Sequence, residues 1–177
     1  MCGVPFHSCE SYISRLLKKG YRVAICEQTE DPAKAKKLVK RDVIRVITPG
    51  TVTDDAMLDS GSNNYLAAVC VHGNEAGLCF VDISTGELHL TTRNSQQLEN
   101  EIVNELSCFS PKEVLINEAA AKMASVTAMI NDRLGVRLEV LDDERFFNDD
   151  KLDFAKKRYN VDDFSALGLR NDSAAVR

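Results

Sequence analysis

Between Tyr65 and Thr92 three apolar runs are separated by turns too short for a crossover, which limits this stretch to an antiparallel meander. Tyr65 to Val71 ends at Gly73-Asn74, and Leu78 to Ile83 ends at Ser84-Thr85-Gly86. Glu87 to Thr92 then alternates with Leu88 and Leu90 inward, which puts His89 on the outer face. Beyond Thr92 the apolar period lengthens from two to that of a helix. Ser95 is placed to cap a helix whose Leu98, Ile102, Val103 and Leu106 share a face and which ends near Pro111.

A strand over Glu113 to Ile116 follows, then a helix over Glu118 to Asn131 with Met123, Val126, Met129 and Ile130 inward. Val136 to Leu141 reads as a strand after Gly135, and Asn148 to Tyr159 as a helix with Asp149 and Asp150 in its favourable first turn. The final stretch from Asn171 resembles a cap and the first turn of another helix. Three antiparallel strands followed by alternating helices and strands is the order of a ribonuclease H-like α/β fold, in which the later strands add in parallel.

The preceding third of the chain differs in charge. Residues 1–50 hold ten Lys/Arg against five Asp/Glu, whereas 51–177 hold twelve against twenty-two, within a net charge of −5. Such a break favours two parts over one. In the first part, Ser8 is placed to cap a helix to Lys19 with Tyr12, Ile13, Leu16 and Leu17 on one face, stopped by Gly20. Arg22 to Gln28 reads as a strand, and Asp31-Pro32 opens a short piece through Lys37. Lys34, Lys36, Lys37, Lys40 and Arg41 form a dense basic cluster, suited either to a solvated face or to phosphate contacts.

DVIRVITPGT, residues 42–51, follows that cluster. Val43, Ile44, Val46 and Ile47 suggest a strand buried on both faces, with Arg45 needing an anionic partner. Thr48-Pro49-Gly50-Thr51 has the residues of a type II turn with Gly50 at positive φ. Thr51 to Asn63, rich in Asp, Ser and Gly, reads as a connecting stretch.

Catalytic signatures of phosphate loops, dinucleotide folds, serine hydrolases and zinc proteases do not occur. A two-metal nuclease needs several converging carboxylates, and Asp82 is the only acid within the first two runs of the meander. Asp82 is better read as bonding the Ser84-Thr85-Gly86 turn. His7, His72 and His89 are scattered, and Cys2, His7 and Cys9 lack a fourth metal ligand at usual spacing. Cys26, Cys70 and Cys79 sit in strand-like runs without any CxxC, which reads as buried free thiols. Neither a secretion signal nor an apolar run of membrane length occurs, so a cytoplasmic location without membrane contact is expected.

M-C-G-V-P-F-H-S, G-Y-R-V-A-I-C-E-Q and V-K-R-D-V-I-R-V-I-T-P-G-T occur in order and closely resemble the amino-terminal region of the MutS family of bacterial DNA mismatch repair proteins. F-V-D-I-S-T-G-E-L extends the likeness into the later part. The resemblance implies that residues 1–58 are the second half of a mismatch-binding domain, 59–62 a linker, and 63–177 most of a ribonuclease H-like connector domain lacking the end of its last helix. It also implies a non-catalytic role, positioning mismatched duplex DNA and coupling it to MutL. ATP and magnesium binding and homodimer contacts belong to other domains of the full-length family, so this chain is expected to need no cofactor.

Carried over residue by residue, Met1 and Arg45 match family positions near the DNA, and Lys40 and Arg41 join them as candidate DNA-binding residues. An ion pair of Arg45 with Glu27 is the competing expectation. Lys37 departs from the Gly common at this point in the family, so a different local turn is expected. The alternatives to DNA positioning are a metal-dependent nuclease on Asp82 and a pure protein-interaction module. A half-domain lacking its early strands is expected to expose apolar edges along Arg22 to Gln28 and Asp42 to Ile47, making residues 1–58 less stable than the rest.

Overall fold

The computed structural model describes residues 2–31, 38–146 and 149–167. After a 3-10 turn over Phe6–Ser8, helix α1 spans Cys9–Leu17. Ser8 precedes it without a side-chain capping bond; instead the Ser11 hydroxyl donates to the Ser8 carbonyl at 3.1 Å. Gly20 ends the helix as expected, with φ of +79° and its N–H donating to Leu17 O at 2.8 Å. Only Ile13 and Leu17 of the expected stripe are buried, while Tyr12 and Leu16 stay half exposed.

Strands β1 (Val23–Gln28) and β2 (Arg41–Ile47) pair antiparallel, with a bulge where Ile25 and Cys26 meet β2. Val23, Ile25 and Ile47 pack with Ile13, Leu17 and Val52 into a small core under α1. The other face is open. Val43, Ile44 and Val46 are 57%, 54% and 48% exposed, so β2 is not buried on both faces. Among the described residues only α1 covers its apolar run. Cys26 lies on this open sheet and is exposed, contrary to the buried-thiol reading.

The second unit is a five-stranded sheet of β3 (Tyr65–His72), β4 (Glu75–Asp82), β5 (Glu87–Asn94), β6 (Glu113–Asn117) and β7 (Arg137–Leu141). Its order is β5-β4-β3-β6-β7, with the first three strands antiparallel and β6 and β7 added in parallel, as the element order required. Helix α2 (Leu98–Phe109) buries Leu98, Ile102 and Leu106 on one face of the sheet. Gln97 rather than Ser95 is its first flanking residue; Ser95 Oγ accepts from the Gln97 N–H one turn earlier.

The covered face carries Ala67, Val69, Leu78, Phe80, Val114 and Ile116, all fully buried. Register then decides which side of β5 is inward. Phe80 pairs with His89 and Leu78 with Thr91, so His89 lies on the covered side with its ring 5.0 Å from Phe109. Leu88 is left 40% exposed. The expectation from Leu88 and Leu90 was therefore inverted, because alternation in an edge strand yields to the register of the strand beside it.

The single helix expected over 118–131 is broken. Helix α3 (Glu118–Ala121) stops, Met123 is extended at φ −83° and ψ 106°, and α4 (Ala124–Ala128) restarts and runs into a π turn over Met129–Leu134. Ala120 and Val126 are both fully buried. On one continuous helix they would lie about 120° apart, and the break lets both reach the core. Helices α5 (Asp143–Phe146) and α6 (Asp149–Tyr159) follow β7. The piece after Asp31 through Lys37, and the residues from 168 onward, lie outside the described residues.

Burial pushes the Cys70 thiol up to about 12 and the Cys79 thiol up to about 11, with the Asp143 carboxylate adding to the shift at Cys70. Both thiols are expected to resist alkylation at about pH 8 in the native protein and to react on denaturation, while exposed Cys2, Cys26 and Cys108 react first. Mass mapping of the labelled sites checks this, and Cys70 labelling as fast as Cys26 would contradict the fold.

Candidate nucleic-acid interface and the joint behind it

The described basic residues on and beside β2, Lys40, Arg41 and Arg45, stand in different settings. Lys40 Nζ is paired with Asp42 Oδ2 at 3.3 Å, and its backbone N–H donates to Glu30 Oε1 at 2.6 Å. Arg41 registers opposite Gln28, whereas Arg45 registers opposite Ile25 on the side that α1 covers. Arg45 is nonetheless exposed, and its Nη2 donates to Thr53 Oγ1 at 3.2 Å. The expected pair with Glu27 does not form, because the bulge sets Glu27 opposite Asp42. A neutral hydroxyl leaves the Arg45 charge uncompensated and most of its five N–H donors available among the described residues. Met1, Lys34, Lys36 and Lys37 lie outside those residues.

Immediately after β2 the chain forms a 3-10 turn, Pro49–Thr51, in place of a type II turn. Thr48 and Thr51 cap it reciprocally: the Thr48 N–H donates to Thr51 Oγ1 at 2.9 Å, and the two hydroxyls lie 2.9 Å apart. Gly50 does not use positive φ; the residue is required by closeness. A Cβ there would lie 3.0 Å from the Cβ atoms of both Glu113 and Leu66. The turn is thus pressed against the ends of β3 and β6.

Two hydrogen bonds fix it there, and a third holds Asn64 in place. The Gly50 N–H donates to Glu113 Oε2 at 3.1 Å, in a buried setting. Asn64 Nδ2 donates to Pro49 O at 2.9 Å, and the Asn64 N–H donates to Asp82 Oδ2 at 2.8 Å. On the far side of Glu113, Arg137 Nε lies 3.3 Å from Oε1, and Arg137 Nη2 donates to Glu139 Oε2 at 2.8 Å. Glu139 also reaches Arg22 Nη1 at 3.5 Å, just ahead of β1. Arg137, chiefly through its hydrogen bond, holds the Glu139 carboxyl below its ordinary range, and the same bond raises Arg137. A cleft of about 310 Å³ opens beside this joint, lined by Lys18, Pro49, Asn64, Lys112 and Arg137 among others.

Sequence reasoning missed Glu113, Arg137 and Asn64. One signal was present: Glu113 opens an otherwise apolar strand, EVLIN, where a charge needs partners. Asp82, the nuclease candidate, is occupied by its turn. Its Oδ1 accepts from the Ser84 N–H at 2.9 Å, the Ser84 hydroxyl at 2.6 Å and the Thr85 N–H at 3.4 Å. Burial raises its pKa, but these bonds and that from Asn64 outweigh it and hold the carboxyl below its ordinary value. Among the described residues no three His, Cys, Asp or Glu are grouped to hold a metal ion. Nor is any helix among them long and apolar enough to cross a membrane.

Comparison with known proteins divides the chain in the same place. The family model for MutS domain I matches residues 1–56, and that for MutS domain II matches residues 64–177. DNA mismatch repair proteins MutS are similar throughout: that of Acetivibrio thermocellus is 48% identical over 82% of this chain and 17% of its own length. The Ruminiclostridium cellulolyticum protein is 41% identical over 93% of this chain and 19% of its own. The Alkaliphilus oremlandii protein is 38% identical over 96% and 19%. The chain thus spans about one fifth of the length of the curated relatives it matches.

Asp82 supplies a check on the joint. Asp82→Asn keeps one acceptor oxygen but presents an amide to the Asn64 N–H, and a loss of about 1–3 kcal/mol in stability is expected at neutral pH. Because the folded pKa is depressed, wild type holds this advantage above the ordinary Asp range and loses it as pH falls through the folded value. The gap between wild type and variant should therefore narrow below about pH 4. Urea midpoints across that range measure it, and a constant gap would show that the carboxylate's charge is irrelevant.

Proposed function

Because the chain belongs to the MutS family of DNA mismatch repair proteins, we propose that it takes part in mismatch recognition without chemistry of its own, the β1–β2 module lying along the duplex backbone and the five-stranded unit relaying to MutL. In this reading residues 1–58 are the mismatch-binding part, 59–62 the linker and 63–177 the connector. ATP binding and homodimer contacts fall to regions of the full-length relatives outside the two matched domains. Work in the cytoplasm is the corresponding setting.

The observation that carries the proposal is Arg45. Its guanidinium is exposed, engaged among the described residues only by the Thr53 hydroxyl, and displayed from a basic module within an otherwise acidic chain. Such a cation fits a phosphate, which takes two parallel N–H donors from one guanidinium. A contact of this kind positions the protein without reading base identity. Arg41 adds a second phosphate contact in this reading, and Lys40 a weaker one because Asp42 already compensates it. Met1 remains a candidate from the family likeness alone.

The test is duplex binding by the full chain across a salt series. Arg45→Ala is expected to weaken binding equally on matched and mismatched duplexes and to reduce the slope of log affinity against log salt by about one. Lys40→Ala should move the slope less. An Arg45→Ala protein with unchanged slope and affinity would remove Arg45 from the interface, and specific ATPase activity in the purified chain would overturn the non-catalytic reading.

A further inference from the structure

We propose that Glu113 is a positioning residue: its carboxylate locks the Thr48–Thr51 turn, and with it the β1–β2 module, onto the five-stranded sheet in one orientation. The side chain is 3% exposed and stands where the two units touch. One oxygen accepts the Gly50 N–H at 3.1 Å, and the other faces Arg137 Nε at 3.3 Å. Each partner belongs to a different unit. Gly50 follows β2, the strand that carries Arg45, and Arg137 begins β7 at the far edge of the sheet.

Three further features make this a lock and not a chance contact. Gly50 brings its backbone so close that Cβ atoms of Glu113 and Leu66 would lie 3.0 Å from any added Cβ, so the turn cannot slide along the sheet without losing its seat. Asn64 holds the neighbouring Pro49 carbonyl at 2.9 Å, which fixes rotation about the Gly50 contact. Arg22, ahead of β1, reaches Glu139 of β7 at 3.5 Å and ties the other strand of the module to the same edge. The turn after β2 is therefore held to the sheet through Glu113 and Asn64, and the residue ahead of β1 through Glu139 of β7.

The lock gives the joint a mechanical consequence. A turn held at both its carbonyl and its N–H moves as part of the sheet, and a load taken up at β2 passes into β6 and β7 without bending at residues 48–52. That transmission role rests on the DNA-recognition reading above; the lock itself does not, and it is testable without DNA.

The experiment uses the full chain in three forms, wild type, Glu113→Ala and Glu113→Gln, with two NMR readouts. The first is the exchange rate of the Gly50 amide, and the second is whether residual dipolar couplings of the two units fit one alignment tensor. Wild type is expected to show a protected Gly50 amide and a single tensor. Glu113→Ala should lose about tenfold or more of that protection and need two tensors, while protection in the cores around Phe80 and Ile102 persists. Glu113→Gln retains an acceptor for Gly50 and should restore most of the amide's protection, which separates the hydrogen bond from the ion pair.

Gly50→Ala attacks the same contact from the other side and should reproduce the two-tensor state with Glu113 intact. If Glu113→Ala fails to fold, the Gln and Gly50→Ala forms carry the test. A single tensor in folded Glu113→Ala, or in Gly50→Ala when Glu113→Ala does not fold, would overturn the proposal. So would a Gly50 amide unprotected in wild type. Failure of the Arg45 salt-slope test alongside a single wild-type tensor and a split Glu113→Ala tensor would dismiss the DNA reading and leave the lock standing.

Discussion

The carboxylate of Glu113, buried between two units of opposite net charge, is the constraint on which the arrangement of the chain depends. A buried carboxylate is costly unless hydrogen-bonded and matched by a cation. Gly50 supplies the hydrogen bond and Arg137 the cation, one from each side of the joint. Those two requirements fix where β2 ends and how the turn beyond it lies. Ile47 and Val52, on either side of the turn, then fall into the small core under α1, where both are 5% exposed.

The two units differ in how they hold themselves together. The five-stranded sheet has a continuous core in which Phe80 stacks on Phe109 at 4.1 Å and α2, α3 and α4 close over one face. Burial of each large side chain there contributes about 1.5–3 kcal/mol. Among the described residues the β1–β2 module has one α-helix, four well-buried apolar residues and an open face bearing Val43, Ile44 and Val46. A two-stranded ribbon is marginal by itself and depends on what packs against it. Seating its exit turn on a larger, well-packed sheet gives the module a fixed boundary that its own core is too small to supply.

Much of this was legible in the sequence wherever the signal was local. The hairpin turns at Gly73-Asn74 and Ser84-Thr85-Gly86 placed β3, β4 and β5, Gly20 stopped α1, and Asp82 was read as a turn residue from its neighbours. The errors came where the deciding neighbour was distant. His89 and Leu88 were assigned to the wrong faces because the alternation of β5 is set by Phe80 across the ladder. Helix 118–131 was drawn unbroken because no Pro or Gly marks Met123; burial of both Ala120 and Val126 makes the break. Gly50 was assigned for its dihedral freedom, but its place is explained by a partner sixty-three residues away. The competing Arg45–Glu27 pair fails because a bulge, which leaves no mark in an apolar run, sets Glu27 opposite Asp42.

That the joint is polar has a physical reason. Apolar contacts are non-directional, so a greasy seat for residues 48–51 would stabilise the module at many registers and tilts. A buried carboxylate that needs the Gly50 N–H accepts it in only one, and a small displacement of the turn strips that hydrogen bond from it at a cost of about 1–3 kcal/mol. Such a bond adds little net stability over a packed hydrophobic contact, yet its loss penalises every wrong arrangement. A module with so small a core has little else to define its orientation, and a cation displayed on β2 is useful only if the strand that carries it points in a fixed direction. The buried Glu113 and the exposed Arg45 are therefore linked requirements, one fixing the direction in which the other is presented.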